Sequence, residues 1–292
     1  MEVWRGNDDE AICAPASGER KSRLLRRAPH PTSTPSTPRN DTVWASSTVP
    51  SSWATRDATD NRLVSDIESD YILRVKHTGV LISFEGIDGS GKSTQAQLLK
   101  AYFAERKCPV VFVREPGGTK AAEAIRDVLL HNKSLPMSDF TELMLFLAAR
   151  ADLIDKVIEP ALRHGRVVIA DRFADSTFAY QAYGRGINLK LVKQLNETAT
   201  RGIKPDLTFL VDLPEREAHQ RLKRQKDRME SMGTTFHQSV RLGFRKLAAA
   251  EPRRIKVLDG RQREEEIWNE ILRITLQFLR RSKIELPEQF WR

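Results

Sequence analysis

Phe84 to Gln95 reads Phe-Glu-Gly-Ile-Asp-Gly-Ser-Gly-Lys-Ser-Thr-Gln, and no other stretch of the chain constrains its fold as strongly. Gly86, Gly91, Lys92 and Ser93 fill the fixed places of a phosphate-binding loop. An apolar run, Val80–Phe84, precedes it and predicts a buried strand; a good helix former, Gln95–Arg106, follows. That order is what an anion site requires. The glycines let backbone N–H groups curl around a phosphate, and the helix N-terminus turns its partial positive charge on the same anion. In such loops the lysine reaches the β- and γ-phosphates and the hydroxyl holds Mg²⁺. The segment Gly86, Ile87, Asp88, Gly89, Ser90, Gly91, Lys92, Ser93, Thr94 is therefore the candidate ATP-binding element, with Lys92 catalytic and Ser93 a metal ligand.

From Val80 onward, strand and helix patterns alternate. Val110–Val113, Val167–Ala170, Leu207–Val211 and Ile255–Leu258 are short apolar runs that predict further buried strands. Helical patterns cover Gly118–Leu130, a long stretch capped by Ser138 and running to Leu162 with a break before Pro160, Asn188–Thr200, and Glu264–Arg280. Apolar strands separated by helices predict an α/β three-layer sandwich: about five parallel strands with helices on both faces. No apolar run approaches the ~20 residues of a membrane helix, so no membrane association is expected. The two cysteines, Cys13 and Cys108, lack metal-ligand spacing and read as inert thiols of a reducing cytoplasm.

Residues 1–76 do not share this pattern. Pro29–Ser52 is dense in Pro, Ser and Thr and cannot bury enough apolar surface to offset its ordering entropy. The Lys21–Arg27 cluster invites a targeting reading, but Asp8, Asp9, Glu10 and Glu19 are out of place in an organellar transit peptide. The expectation is a disordered or non-native extension on residues 1–76 and a phosphate-loop domain on 77–292. Net charge divides accordingly: the first 70 residues hold 9 Lys+Arg against 11 Asp+Glu, leaving +11 on the rest. A basic body suits nucleic acid or an anionic small molecule. Aromatic residues are not interleaved with the positive charges as single-strand binders require, so no nucleic-acid partner is expected.

In parallel sheets of this kind ligands bind at the carboxyl ends of the strands. After the second strand comes Arg114-Glu115-Pro116-Gly117-Gly118-Thr119; after the third, Asp171-Arg172-Phe173; after the fourth, Asp212 and the cation-rich Arg216–Arg228. Arginine pairs with phosphate in a bidentate way, so Arg114 and Arg172 predict a second phosphate subsite facing the loop. Two subsites favour phosphoryl transfer between nucleotides over hydrolysis. The six histidines show no metal spacing; Asp212 reads as structural or as a second Mg²⁺ ligand.

Val113-Arg114-Glu115-Pro116-Gly117-Gly118-Thr119, Leu145-Phe146-Leu147-Ala148-Ala149-Arg150, Asp171-Arg172-Phe173 and Ser176-Thr177-Phe178-Ala179-Tyr180-Gln181 resemble the thymidylate kinases, in order and approximate spacing. The resemblance covers about Val80 to Arg280. It implies transfer of the γ-phosphoryl of ATP to dTMP, giving dTDP and ADP, with Mg²⁺, in a cytoplasmic homodimer to which the apolar Leu143–Ile158 helix contributes. It implies that Phe146 stacks on thymine and that Arg150 hydrogen-bonds the base. Arg114 and Arg172 would take the dTMP phosphate, and Thr177 would face the base edge. Tyr180 would lie under the sugar, Asp88 would meet the 3′-hydroxyl, and Asp171 would help hold Mg²⁺. Gly89 stands where some members carry a loop arginine, so the chain resembles the bacterial-like type whose catalytic arginine sits in a mobile lid, here about 214–232. Arg221, Arg224 and Arg228 are the candidates; Arg224 is expected to reach the transferring phosphoryl and Arg228, in Asp227-Arg228-Met229-Glu230, to be structural. The chain departs from the family at Ala182-Tyr183, where a glycine pair is common, and in a short lid without glycine.

Pattern alone gives blander readings. Among Leu143, Met144, Leu145 and Leu147, Phe146 is a core residue; Arg150 is a solvated helix charge, and Tyr180 and Tyr183 are packing residues. Two rival functions follow: another kinase of nucleosides or nucleoside monophosphates, and a nucleotide-binding regulatory protein without turnover. The second cationic subsite argues against an unphosphorylated acceptor, and the intact Lys92, Ser93 and lid arginines argue against a dead enzyme.

Overall fold

The computed structural model describes residues 77–291 other than 133, 223–226, 283 and 285. The expectation for the N-terminal extension and the assignment of Arg224 fall outside the described residues.

Five parallel strands form one sheet in the order β2-β3-β1-β4-β5. They are β1 (Val80–Glu85), β2 (Val110–Arg114), β3 (Val167–Asp171), β4 (Leu207–Asp212) and β5 (Ile255–Asp259). β1 pairs with β3 from Val80↔Val167 to Phe84↔Asp171, and with β4 from Ile82↔Leu207 to Glu85↔Leu210. The central strands are buried on both faces, which is why they read as continuous apolar runs. Alternation divides β1 between two cores. Val80, Ile82 and Phe84 meet α1 (Lys92–Glu105) through Ala96, Leu99 and Phe103, together with the C-terminal helix. Leu81 faces the other way, toward Ile154, Ile158 and Leu162.

Further helices are α2 (Lys120–Arg126), α3 (Asp139–Leu153), α4 (Ala174–Thr177), α5 (Leu189–Ala199), α6 (Glu215–Arg221), α7 (Thr234–Ala250) and α8 (Glu264–Arg281), with shorter helical pieces at Glu159–Arg163 and Glu288–Phe290. Three carry on as wide π-type turns: α2 through Asp127–His131, α3 through Ile154–Ile158 and α4 through Phe178–Gly184. Side-chain caps mark the starts, as Ser138 accepts from the Thr141 N–H, Thr119 from Ala122 and Asn188 from Leu191. The long helix does run past Pro160, to Arg163. The wide turn just before the proline replaces the break expected there, because it relieves the clash a proline ring makes with the preceding turn.

α4 and α7 lie outside the stretches that read as helical, and one expected helix starts early. α1 begins at Lys92, three residues earlier than its pattern suggested. α7 closes the region between the lid and β5, with Phe236, Val240, Phe244 and Ala248 buried along one face. It packs on the Phe178–Gly184 segment, with Phe236 and Phe244 each 6.1 Å from the Tyr180 ring. Here the Tyr183 departure finds its place: a Cβ on Gly243 would lie 2.7 Å from the Tyr183 ring, so only glycine leaves room for that tyrosine. Most of the apolar residues of the Leu143–Ile158 helix turn inward. Leu143, Leu147, Leu153, Ile154 and Ile158 are all buried, while Phe140 and, within that stretch, Met144 are exposed.

Candidate active site

The phosphate loop joins β1 to α1 at the carboxyl edge of the sheet. Gly86 and Gly91 take positive φ values of 139° and 96°, and a Cβ at Gly86 would meet the Val211 carbonyl at 2.5 Å. Gly91 opens α1 with no side-chain cap, and the first turn holds no acid. The orphan N–H groups of that turn are thus left for an anion.

Lys92 is buried, and its Nζ donates to Asp88 Oδ1 at 3.1 Å. Arg172 Nη2 donates to the same oxygen at 2.6 Å, and its Nη1 donates to the Gly86 carbonyl at 2.9 Å. Tyr180 donates its hydroxyl to Asp88 Oδ2 at 3.4 Å, beneath the Arg172 guanidinium. Burial alone would push the Asp88 carboxyl up. The Arg172 and Lys92 charges outweigh that and hold it well below the usual carboxylate range. Arg172 itself sits at φ 72°, a left-handed conformation costly for a residue with a Cβ.

One cleft gathers nearly all the residues named from the sequence. Asp88, Lys92, Ser93, Arg114, Phe146, Arg150, Asp171, Arg172, Thr177 and Tyr180 line it. Arg114 is paired with Glu123 at 2.9 and 3.0 Å, and Phe146 is half-buried at the wall rather than lost in the core. Asp171 is buried, and among the described residues its Oδ1 has no hydrogen-bond partner. A buried, unpartnered carboxylate oxygen in the same cleft as the Ser93 hydroxyl suits a hard cation such as Mg²⁺. No cluster of three His, Cys, Asp or Glu side chains exists among the described residues, so such a cation would complete its shell with water and phosphate. Asp212, the alternative ligand, is instead held by Arg241 through both oxygens, at 2.6 and 2.9 Å.

Arg150 is no solvated helix charge. It is buried, and its five N–H groups are all engaged: with Glu115 Oε2 twice, Thr177 Oγ1 at 2.7 Å, Asn196 Oδ1 at 2.7 Å and the Phe173 carbonyl at 3.2 Å. A base hydrogen-bonded by Arg150 must share or displace one of these partners. Of the lid cations, Arg221 Nη1 donates to the Gly260 carbonyl at 2.9 Å, while Arg228 pairs with buried Glu142 at 2.7 Å, a structural anchor.

Sequence reasoning missed several residues here. Arg126 lines the cleft beside Arg114 and donates to the Pro116 carbonyl at 2.8 Å. Burial, with the neighbouring Arg114 charge, lowers its pKa below the ordinary arginine value. Gln181 lines the cleft too, with its Nε2 donating to Glu142 at 3.1 Å. Glu85 lies one shell deeper, fully buried, accepting from the Phe173 N–H and the Ser176 hydroxyl. Burial and the nearby Asp175 charge push it up to about 8. The available signal was position: Gln181 ends a block already singled out, and Glu85 ends β1.

A sequence profile for the family described as thymidylate kinase matches residues 84–271. The thymidylate kinase of Symbiobacterium thermophilum is 47% identical over 203 residues, spanning 69% of this chain and 95% of that protein. That of Kosmotoga olearia is 45% identical over 204 residues, spanning 69% and 98%. Among solved structures, thymidylate kinase from Ehrlichia chaffeensis superposes with a TM-score of 0.56 at 36% identity, covering 68% of this chain and 98% of that one.

Proposed function

The chain belongs to the thymidylate kinase family, and from that premise we infer how its cleft works. The enzyme phosphorylates dTMP at the expense of ATP, giving dTDP and ADP, a step in nucleotide biosynthesis. The observation that carries the residue assignments is the convergence of the phosphate loop, with Lys92, and a second cationic group, Arg114, Arg126 and Arg172, on one cleft walled by Phe146, Thr177 and Tyr180.

The loop and Lys92 hold the ATP phosphates; the arginine group holds the phosphate of dTMP. That phosphate is already an anion, so no general base is needed. The chain's contribution is to align two mutually repelling phosphates and neutralise the charge between them. Ser93 and Asp171 would hold Mg²⁺, which supplies further positive charge to the phosphates when bound. Phe146 stacks on the thymine ring, Thr177 and Gln181 face its edge, and Arg150 supports that wall. Asp88 and Tyr180 flank the sugar. Arg224 is the proposed lid cation; of the other two candidates, Arg221 meets the Gly260 carbonyl and Arg228 pairs with Glu142. Phe140 and Met144, 50% and 43% exposed on α3, are the apolar surface offered for homodimer formation. The proposed location is the cytoplasm; among the described residues no helix is long and apolar enough to cross a membrane.

Chromatography of the products tests the activity: dTDP accumulates from dTMP and ATP with Mg²⁺, and Lys92→Ala abolishes it. No dTDP from the wild-type chain would overturn the reading.

A further inference from the structure

Glu85 does not itself line the cleft and has no role assigned toward a substrate, yet it is a fully buried acid at the junction of β1 and the phosphate loop. Both its oxygens are aimed at the turn after β3. Oε1 accepts from the Phe173 N–H at 2.8 Å, and Oε2 bonds the Ser176 hydroxyl at 2.6 Å. Ser176 Oγ in turn accepts from Arg172 Nη1 at 3.1 Å. Glu85 therefore grips Arg172 from two sides. It fixes the backbone of the next residue, which helps hold Arg172 in its left-handed conformation, and through Ser176 it holds one arm of the guanidinium. The other constraints on Arg172 are the Phe84 carbonyl, which accepts its N–H at 2.9 Å, the Gly86 carbonyl, Asp88 and the Tyr180 hydroxyl. A strained residue persists where its surroundings over-determine it, and Glu85 ties the turn to the strand feeding the phosphate loop.

We propose that Glu85 is a positioning residue for the acceptor phosphate, acting through Ser176 and the Phe173 N–H to aim Arg172 at dTMP while tying that aim to the loop that holds ATP. This rests on the assignment of Arg172 to the dTMP phosphate. Because β1 ends in Glu85 and the loop begins at Gly86, the donor and acceptor subsites share one fixed reference point.

The test is a set of steady-state KM values for dTMP and ATP on the full chain. Glu85→Ala and Ser176→Ala should each raise the dTMP KM roughly tenfold, as loss of one hydrogen bond to a charged group would, and change the ATP KM less than about twofold. Glu85→Gln keeps an acceptor for Phe173 and a partner for Ser176, so it should stay within about twofold of wild type. The double variant Glu85→Ala/Ser176→Ala should be less than multiplicative, since both changes cut one chain of contacts. A wild-type dTMP KM in Ser176→Ala, or fully multiplicative effects in the double variant, would overturn the proposal. Should Glu85→Ala fail to fold, Ser176→Ala still decides. Arg172→Ala separates the two levels: if it leaves the dTMP KM unchanged, the assignment of Arg172 fails; if it raises that KM while Ser176→Ala does not, only the role of Glu85 fails.

Discussion

Arg172 Nη2 and Lys92 Nζ donate to one and the same oxygen, Asp88 Oδ1, at 2.6 and 3.1 Å. The two cations assigned to opposite phosphates are thus held at a common point before any phosphate arrives. A single carboxylate spaces them and offsets the repulsion between them. Asp88→Asn removes that negative charge. It should lower kcat/KM by roughly 10- to 100-fold through lost alignment, and yet tighten inhibition by inorganic phosphate competing with dTMP. Weaker phosphate inhibition in Asp88→Asn would contradict this account of the pair.

Two acids, half-buried Asp88 in the loop and fully buried Glu85 before it, should respond to pH with opposite signs. Asp88 is held below its ordinary value of 3.8, so the stability it contributes is present above that value and fades as pH falls through its folded-state pKa. Glu85 is raised from 4.5 to about 8, so its contribution is complete below about 4.5 and is lost as pH rises through about 8. Thermal midpoints measured from pH 5 to pH 8 should therefore fall more steeply for the wild type than for Glu85→Gln. Parallel curves would mean that Glu85 titrates normally.

Arg150 and Glu115 form a buried pair whose disruption strands a charge. Glu115→Gln should cost about 3–5 kcal/mol of stability, or about 10 °C in thermal midpoint for a domain of this size. The base-side wall should loosen with it, because the same guanidinium fixes Thr177. A midpoint within about 2 °C of wild type would show the pair to be dispensable.

Phe146→Ala should raise the dTMP KM by roughly one to two powers of ten, the range expected for one lost base–aromatic stack, and leave the ATP KM close to wild type. Equal rises in both would make Phe146 a packing residue, as its apolar neighbours in the sequence suggest.

How much of this was legible in the chain depends on distance along it. The sheet, the phosphate loop and the strand-end arginines could be read because each is local: an apolar run followed at once by the residues it presents. Phe146 and Arg150 took their roles only from the resemblance, since a buried arginine and a surface one look alike in sequence. The partners of Arg150 lie 35, 27, 46 and 23 positions away, so no local pattern reveals them. Glu85 and Asp175 likewise read as ordinary acids until the fold buries them side by side. The α7 helix was missed for a different reason. Its buried face, Phe236, Val240, Phe244 and Ala248, keeps a four-residue spacing, but polar and charged residues and Gly243 fill most of the positions between, so the apolar stripe is narrow. The wide turns after α2, α3 and α4 are set by packing, and propensity does not encode them.

The most direct test of the account is ADP release with ATP and Mg²⁺ and a panel of separate acceptors: dTMP, dUMP, dCMP, AMP and thymidine. The account predicts rapid turnover with dTMP, weak turnover with dUMP and none with thymidine, because the arginine group needs a phosphate and the wall around Phe146 needs thymine. Turnover with thymidine equal to that with dTMP, or ATP binding with no acceptor-stimulated release at all, would contradict it.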